Sequence, residues 1–232
     1  MYKENVKSLN WFVGCRHGCV YCKPSFQAQM KRQRKKCESC YLYEPHPHLE
    51  RLAKTPPRTR ADEFIFFPSS GDPAYATREQ FRQAWSFAEK YPDRTFLTQS
   101  KDPFCFLQFS EIPDNVILGT TIETDLIRFP SSTYYSYDEI SHAPFPVHRV
   151  VAMSELKHKR KEVTIEPILE FSLATLPEWI REIEPEFVYV GYDNHNCKLP
   201  EPPLSKTHML IEKLEKFTEV RVKTLRKAWW EL

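Results

Sequence analysis

Short apolar runs alternate with amphipathic stretches along most of the chain, and that alternation predicts the order of its elements. Near-continuous apolar runs predict strands at 9–13, 63–67, 95–98, 115–120, 163–165 and 187–191, with a short last strand at 220–222. Helical spacing fills the intervals. Residues 21–35 predict a helix with a strongly basic end. Thr77 predicts a helix N-cap with Gln80 as its capping-box partner, and Phe81, Ala84, Trp85 and Ala88 form the apolar stripe that follows. Further helices are predicted at 103–109, 147–158, 175–183 and 205–216, and an irregular loop rich in Pro, Ser and Tyr at 129–146. Six βα units with apolar strands predict a parallel sheet covered by helices, and right-handed crossovers would turn it into an open (β/α)6 barrel.

Composition narrows the picture in a few places. The 232 residues are 41% hydrophobic and 14% aromatic, enough for one well-buried domain over 1–232, with an insertion at about 30–60 between the first helix and the second strand. With 33 basic and 31 acidic residues the net charge is +2, which neither favours nor excludes a nucleic-acid partner. Five glycines against nineteen prolines predict stiff loops rather than flexible linkers. No apolar run reaches membrane-spanning length, and the opening Met-Tyr-Lys-Glu-Asn does not read as a signal peptide. No membrane partner is therefore expected. Seven cysteines, three of them at a metal-ligand spacing, fit a reducing cytoplasmic compartment better than a disulfide framework.

Those three cysteines are the sharpest chemical signal. Cys15-x3-Cys19-x2-Cys22 follows the first apolar run and Gly14. Thiolates are soft ligands that hold iron–sulfur clusters. Three of them ligate three irons of a four-iron cube and leave the fourth open to a substrate or cofactor. The competing reading is a zinc knuckle in which His17 completes the set, since structural zinc takes four protein ligands.

Cys15, Cys19 and Cys22, with Tyr21 before the last cysteine, resemble the signature of the radical S-adenosylmethionine (SAM) superfamily. The stretches Cys37-x2-Cys40, Pro45-His-Pro-His-Leu-Glu-Arg-Leu, Phe96-Leu-Thr-Gln-Ser-Lys and Leu118-Gly-Thr-Thr-Ile-Glu resemble a smaller branch of it, the phage-type proteins related to spore photoproduct lyase and DNA repair photolyase-like proteins. The resemblance implies a partial (β/α)6 barrel of the radical SAM type. It also implies a [4Fe-4S] cluster whose open iron is chelated by S-adenosylmethionine, an external one-electron reductant, and cleavage to a 5′-deoxyadenosyl radical that takes hydrogen from a substrate.

In parallel α/β folds ligands gather at the carboxyl ends of strands. The cofactor-binding candidates named on that ground are Ser70, Gly71 and Asp72 after the second strand, Ser100 and Lys101 after the third, Glu123 after the fourth and Glu166 after the fifth. Tyr21 joins them from the cysteine motif. The family carries a Gly-Gly-Glu-like segment after the second strand. This chain has Ser-Ser-Gly-Asp instead, a substitute for that segment or simply a strand-to-helix turn. Glu123 is expected to accept from the ribose hydroxyls, with a surface salt bridge as the plain alternative for it and for Lys101.

Cys37, Cys40, His46 and His48 form a second candidate metal group, with zinc as the expected ion and an ordinary structural insertion as the alternative. Cys105 reads as a buried apolar residue. Cys197, on the loop after the sixth strand, is the candidate hydrogen donor to a product radical; the alternative is a thiol without a role. The basic run 31–36, with Tyr41, Tyr43, Trp229 and Trp230 elsewhere in the chain, raises a nucleic acid or nucleoside as the substrate class. The rival to a radical SAM enzyme is a non-catalytic zinc- and nucleic-acid-binding protein.

Overall fold

The computed structural model describes residues 3–129 and 133–232. The chain forms two compact units, one comprising residues up to Arg16 together with Ser25–Gly119, the other His17–Pro24 with Thr120–Leu232.

The first unit contains β1 (Asn5–Ser8), β2 (Phe12–Val13), α1 (Ala28–Met30), α2 (Glu38–Leu42), β3 (His46–Pro47), β4 (Phe64–Phe66), α3 (Arg78–Glu89), β5 (Phe96–Gln99) and most of β6 (Val116–Thr121). The hydrogen-bonded order is β1-β4-β5-β6, and each of the three pairs is parallel. Strands buried on both faces need apolar residues throughout, and Phe64, Ile65 and Phe66 supply them. Helix α3 buries Phe81, Ala84, Trp85, Phe87 and Ala88, and its capping box is made in full. Its aromatics join those of the strands: Phe67 lies 5.0 Å from Phe96, and Trp11 5.5 Å from Phe81, ring centre to ring centre.

Two predicted elements are corrected here. The apolar run at 9–13 is not a single strand. The parallel sheet begins earlier, at β1. The chain then turns at Asn10, whose side-chain oxygen accepts from the Ser69 and Ser70 amides at 2.7 and 2.9 Å. Phe12–Val13 goes on to pair antiparallel with His46–Pro47. Burial of Trp11 and Phe12, not membership of the parallel sheet, makes this run apolar. The helix predicted at 21–35 is a succession of short helical turns. Like charges crowd the run from Lys31 to Lys36.

The second unit contains the last two residues of β6, then α4 (Pro146–Glu155), β7 (Lys161–Ile165), α5 (Leu176–Ile183), β8 (Phe187–Val190), α6 (Leu204–Leu214) and β9 (Glu219–Val222). Its strands follow the order β6-β7-β8-β9, with parallel pairing of β7 to β8 and β8 to β9. Just past β6, the Ile122 amide donates to the Thr164 carbonyl at 2.9 Å. The expected parallel α/β class is therefore present. Part of the loop predicted at 129–146 lies outside the described residues; within it Tyr137–Glu139 forms one helical turn. No helix among the described residues is long and apolar enough to cross a membrane.

Candidate functional site

In the first unit, β2 runs into Gly14 and then Cys15. Gly14 has φ +92°, and a Cβ there would lie 2.2 Å from the Glu44 carbonyl oxygen, so only glycine fits. Its amide donates to the Ser70 carbonyl at 3.1 Å, and its own carbonyl accepts from the Asp72 amide at 3.0 Å. Gly71 lies equally close, since a Cβ on it would meet the Gly14 nitrogen at 2.7 Å. The loop after β4 is thus laid along the residue that precedes Cys15. Asp72 is buried, and its carboxylate accepts from the Ala74 amide at 2.9 Å, the Ser100 hydroxyl at 2.6 Å and the Lys101 amide at 2.8 Å. Five of the predicted residues, Ser70, Gly71, Asp72, Ser100 and Lys101, therefore come together in one unit beside Cys15.

In the second unit the segment from His17 to Pro24 carries Cys19 and Cys22. Gly18, at φ +64°, turns it against His142. The His142 amide donates to the His17 carbonyl at 2.8 Å, and the Val20 amide to the Ile140 carbonyl at 2.9 Å. The buried Cys19 sulfur lies 3.0 Å from the Ser141 hydroxyl, and the Cys22 amide donates to the Cys19 carbonyl at 3.0 Å. No cysteine among the described residues is in a disulfide.

Tyr21 is turned inward. Its hydroxyl donates to Glu123 Oε1 at 2.6 Å, and burial, then the nearby Cys19 and Glu123, push its pKa well above the ordinary tyrosine value. Glu123 Oε1 also accepts from the Tyr137 hydroxyl at 3.0 Å, while Oε2 accepts from Arg149 Nη1 at 2.8 Å. Arg149 donates further to the Tyr137 oxygen at 2.6 Å, the Thr121 carbonyl at 2.8 Å and the Pro144 carbonyl at 2.6 Å. Both charged side chains are fully buried. Glu123 thus ties the cysteine segment to α4. Sequence reasoning missed Arg149, Tyr137 and Ser141. The one available signal was a single arginine on α4 among the buried Pro146, Val150, Ala152 and Met153.

Glu166 pairs with Lys223 and lies 3.4 Å from the Asn194 side-chain amide. Cys197 packs, with Val20 and Tyr21, on the buried cluster of Phe129, Tyr137, Ile140, Leu169 and Leu199. Its amide donates to Asp193 Oδ2 at 2.6 Å. Burial, with Asp193 beside it, pushes its thiol up to about 11, so it stays S–H across the neutral range.

The second candidate metal group also comes together. Cys37, Cys40, His46 and His48 each present one ligand atom, and the four atoms lie within 4.8 Å of one another. Near them, Lys31 Nζ sits 4.5 Å from the centre of the Tyr41 ring and donates to the Tyr41 carbonyl at 3.2 Å, so part of the basic run is held against an aromatic face.

The chain matches no protein-family model and, in a significant alignment, no curated protein.

Proposed function

We propose that the chain is a radical SAM enzyme in which Cys15, Cys19 and Cys22 hold a [4Fe-4S] cluster. The observation that carries this reading is the donor set itself: three thiols at x3 and x2 spacing, outside any disulfide, on a segment turned by Gly14 and Gly18. Three thiolates suit a cluster with one open iron better than a structural zinc ion, which takes four protein ligands. When bound, such a cluster supplies the electron that cleaves S-adenosylmethionine and so gives a 5′-deoxyadenosyl radical.

The chain's own residues support that chemistry. The Ser141 hydroxyl faces the Cys19 sulfur, where a donated hydrogen bond stabilises thiolate and tunes a cluster's potential. Asp72 holds the ends of β4 and β5 in one arrangement and so shapes the Ser70–Gly71 and Ser100–Lys101 backbone beside Cys15. Cys197 remains protonated and shares an apolar cluster with Tyr21, which suits a thiol that returns hydrogen to a product radical. The substrate class in this reading is a nucleic acid or nucleoside, supported only by the basic run and Tyr41.

Anaerobic reconstitution with iron and sulfide tests the proposal. A brown protein with about four irons that makes 5′-deoxyadenosine when reduced with dithionite supports it. Cys15→Ala, Cys19→Ala and Cys22→Ala should each abolish both iron loading and cleavage. A colourless protein that binds only zinc, or one such variant with full iron and normal cleavage, would sink it.

A further inference from the structure

We propose that Cys37, Cys40, His46 and His48 bind one Zn2+ in a closed, four-ligand site that holds the loop beside Cys15 in shape. The ligand atoms already stand close to tetrahedral spacing. Cys40 Sγ lies 3.3 Å from His46 Nε2 and 3.1 Å from His48 Nε2, Cys37 Sγ lies 3.4 Å from His46 Nε2, and the two Nε2 atoms are 2.9 Å apart. Tetrahedral zinc at about 2.0–2.1 Å from nitrogen and about 2.3 Å from sulfur requires nitrogen–nitrogen and nitrogen–sulfur edges of about 3.3–3.6 Å, a shift of a few tenths of an ångström from these four distances.

Proton placement explains why a cation belongs there. His46 Nδ1 lies 2.6 Å from the Glu44 carbonyl oxygen, which can only accept, so Nδ1 carries a proton and, in the neutral ring that a metal binds, Nε2 carries a lone pair. His48 Nδ1 lies 2.8 Å from Glu50 Oε1 and is fixed in the same tautomer. Two lone pairs therefore face each other, with a sulfur beside them. Thiol protons can serve each imidazole singly but leave the contact between the nitrogens unbridged. A divalent cation satisfies all four donors together. Two sulfurs and two imidazoles select zinc over magnesium or calcium, and the outward hydrogen bonds of both histidines are the second-shell pattern of a histidine–metal site. Four protein ligands leave no open position, so the role is structural.

The place of the site says what it supports. Cys37 caps α2, and its sulfur accepts from the Cys40 amide at 3.4 Å. His46 lies on β3, opposite Val13 of β2. Between the two ligand pairs run Tyr43 and Glu44. The Tyr43 carbonyl accepts from the Cys15 amide at 3.3 Å, Glu44 pairs with Arg16 at 3.0 Å, and the Glu44 carbonyl is the atom that leaves Gly14 no room for a side chain. Metal binding at one end thus fixes the backbone from Gly14 to Arg16 at the other.

The zinc site stands independently of the iron–sulfur reading, and the test separates them. Full-length protein purified without iron reconstitution should hold about one zinc per chain by elemental analysis. Cobalt exchanged into it should give the visible d–d absorption of a tetrahedral thiolate site. The Cys37→Ser/Cys40→Ser variant should lose zinc at least about tenfold, while the Cys15→Ala/Cys19→Ala/Cys22→Ala variant keeps it. If the first variant does not fold, the cobalt spectrum of the second decides alone. An octahedral spectrum, no zinc in the wild type, iron at this site in place of zinc, or zinc that follows Cys15, Cys19 and Cys22 would overturn the proposal. Removing zinc should also speed amide exchange at Cys15 and Arg16, and unchanged exchange there would overturn the supporting role.

Discussion

Two constellations of four polar side chains lie in the two units, and they differ in whether their charge closes internally. Cys37, Cys40, His46 and His48 lie within positions 37 to 48, bring one ligand atom each within 4.8 Å of the others, and include no lysine or arginine of their own. Tyr21, Glu123, Tyr137 and Arg149 come from positions 21 to 149 and include their own cation, so each carboxylate oxygen already has a protein donor. On the zinc reading proposed above, the first set takes its cation from outside. The second does not, although its glutamate stands at a strand end, where ligands gather in such folds.

The sharpest way to break that comparison is to remove the internal cation. Arg149→Met leaves Glu123 buried without its countercharge and should cost about 3–5 kcal/mol in urea unfolding. The double variant Glu123→Gln/Arg149→Met should recover a large part of that loss, since it buries no unpaired charge. A single-variant loss under about 1 kcal/mol would mean that another group neutralises Glu123.

Glu162 is a third case, in which a proton closes the balance. It is fully buried on β7, Thr164 donates to one oxygen, and among the described residues no donor reaches the other. Burial pushes its pKa from 4.5 up to about 8. Between those values the folded protein keeps a proton that the unfolded chain has released. The stabilisation is complete below the unfolded pKa and is lost as pH rises through the folded one. Wild-type stability should thus fall, relative to Glu162→Gln, by on the order of 3–5 kcal/mol between about pH 4.5 and 8. Parallel pH profiles for the two proteins would show that Glu162 is not protonated by burial.

How much of this could be read from the sequence follows the same divide between local and distant partners. The three-cysteine spacing, the Cys37–His48 group and the Thr77–Gln80 box each lie within a dozen residues, so spacing alone brings them into view. The partners of Glu123 lie 14 to 102 positions away, and no periodicity announces them. The strand misplaced at 9–13 failed for a related reason: apolarity reports burial, and Trp11 is buried in a turn rather than in the sheet. The helix expected at 21–35 lacked the apolar stripe that α3 has, and in its place stand short turns.

Smaller effects sharpen the comparison within the closed set. The Tyr137 hydroxyl both donates to Glu123 and accepts from Arg149. Tyr137→Phe removes two hydrogen bonds but leaves the ion pair, and should cost about 1–3 kcal/mol in the same unfolding assay, less than Arg149→Met. A loss as large as that of Arg149→Met would place the strength of the network in the tyrosine rather than in the charge pair.

The smallest expected effect belongs to a constellation that is both local and closed. The Gln80 amide donates to the Thr77 hydroxyl oxygen at 3.2 Å, and the Thr77 amide to the Gln80 side-chain oxygen at 3.0 Å, so two otherwise orphaned amides of α3 are satisfied. Thr77 is exposed and Gln80 half-buried at the helix end, so water replaces a lost partner at little penalty. Thr77→Ala should therefore cost about 1 kcal/mol, and Thr77→Ser should restore most of it because serine keeps the acceptor oxygen. Gln80→Ala tests the reciprocal bond and should cost less than Thr77→Ala, since the cap oxygen remains. If Thr77→Ala cost as much as Arg149→Met, exposure to water would not be what separates the two, and the contrast drawn from burial would have to be given up.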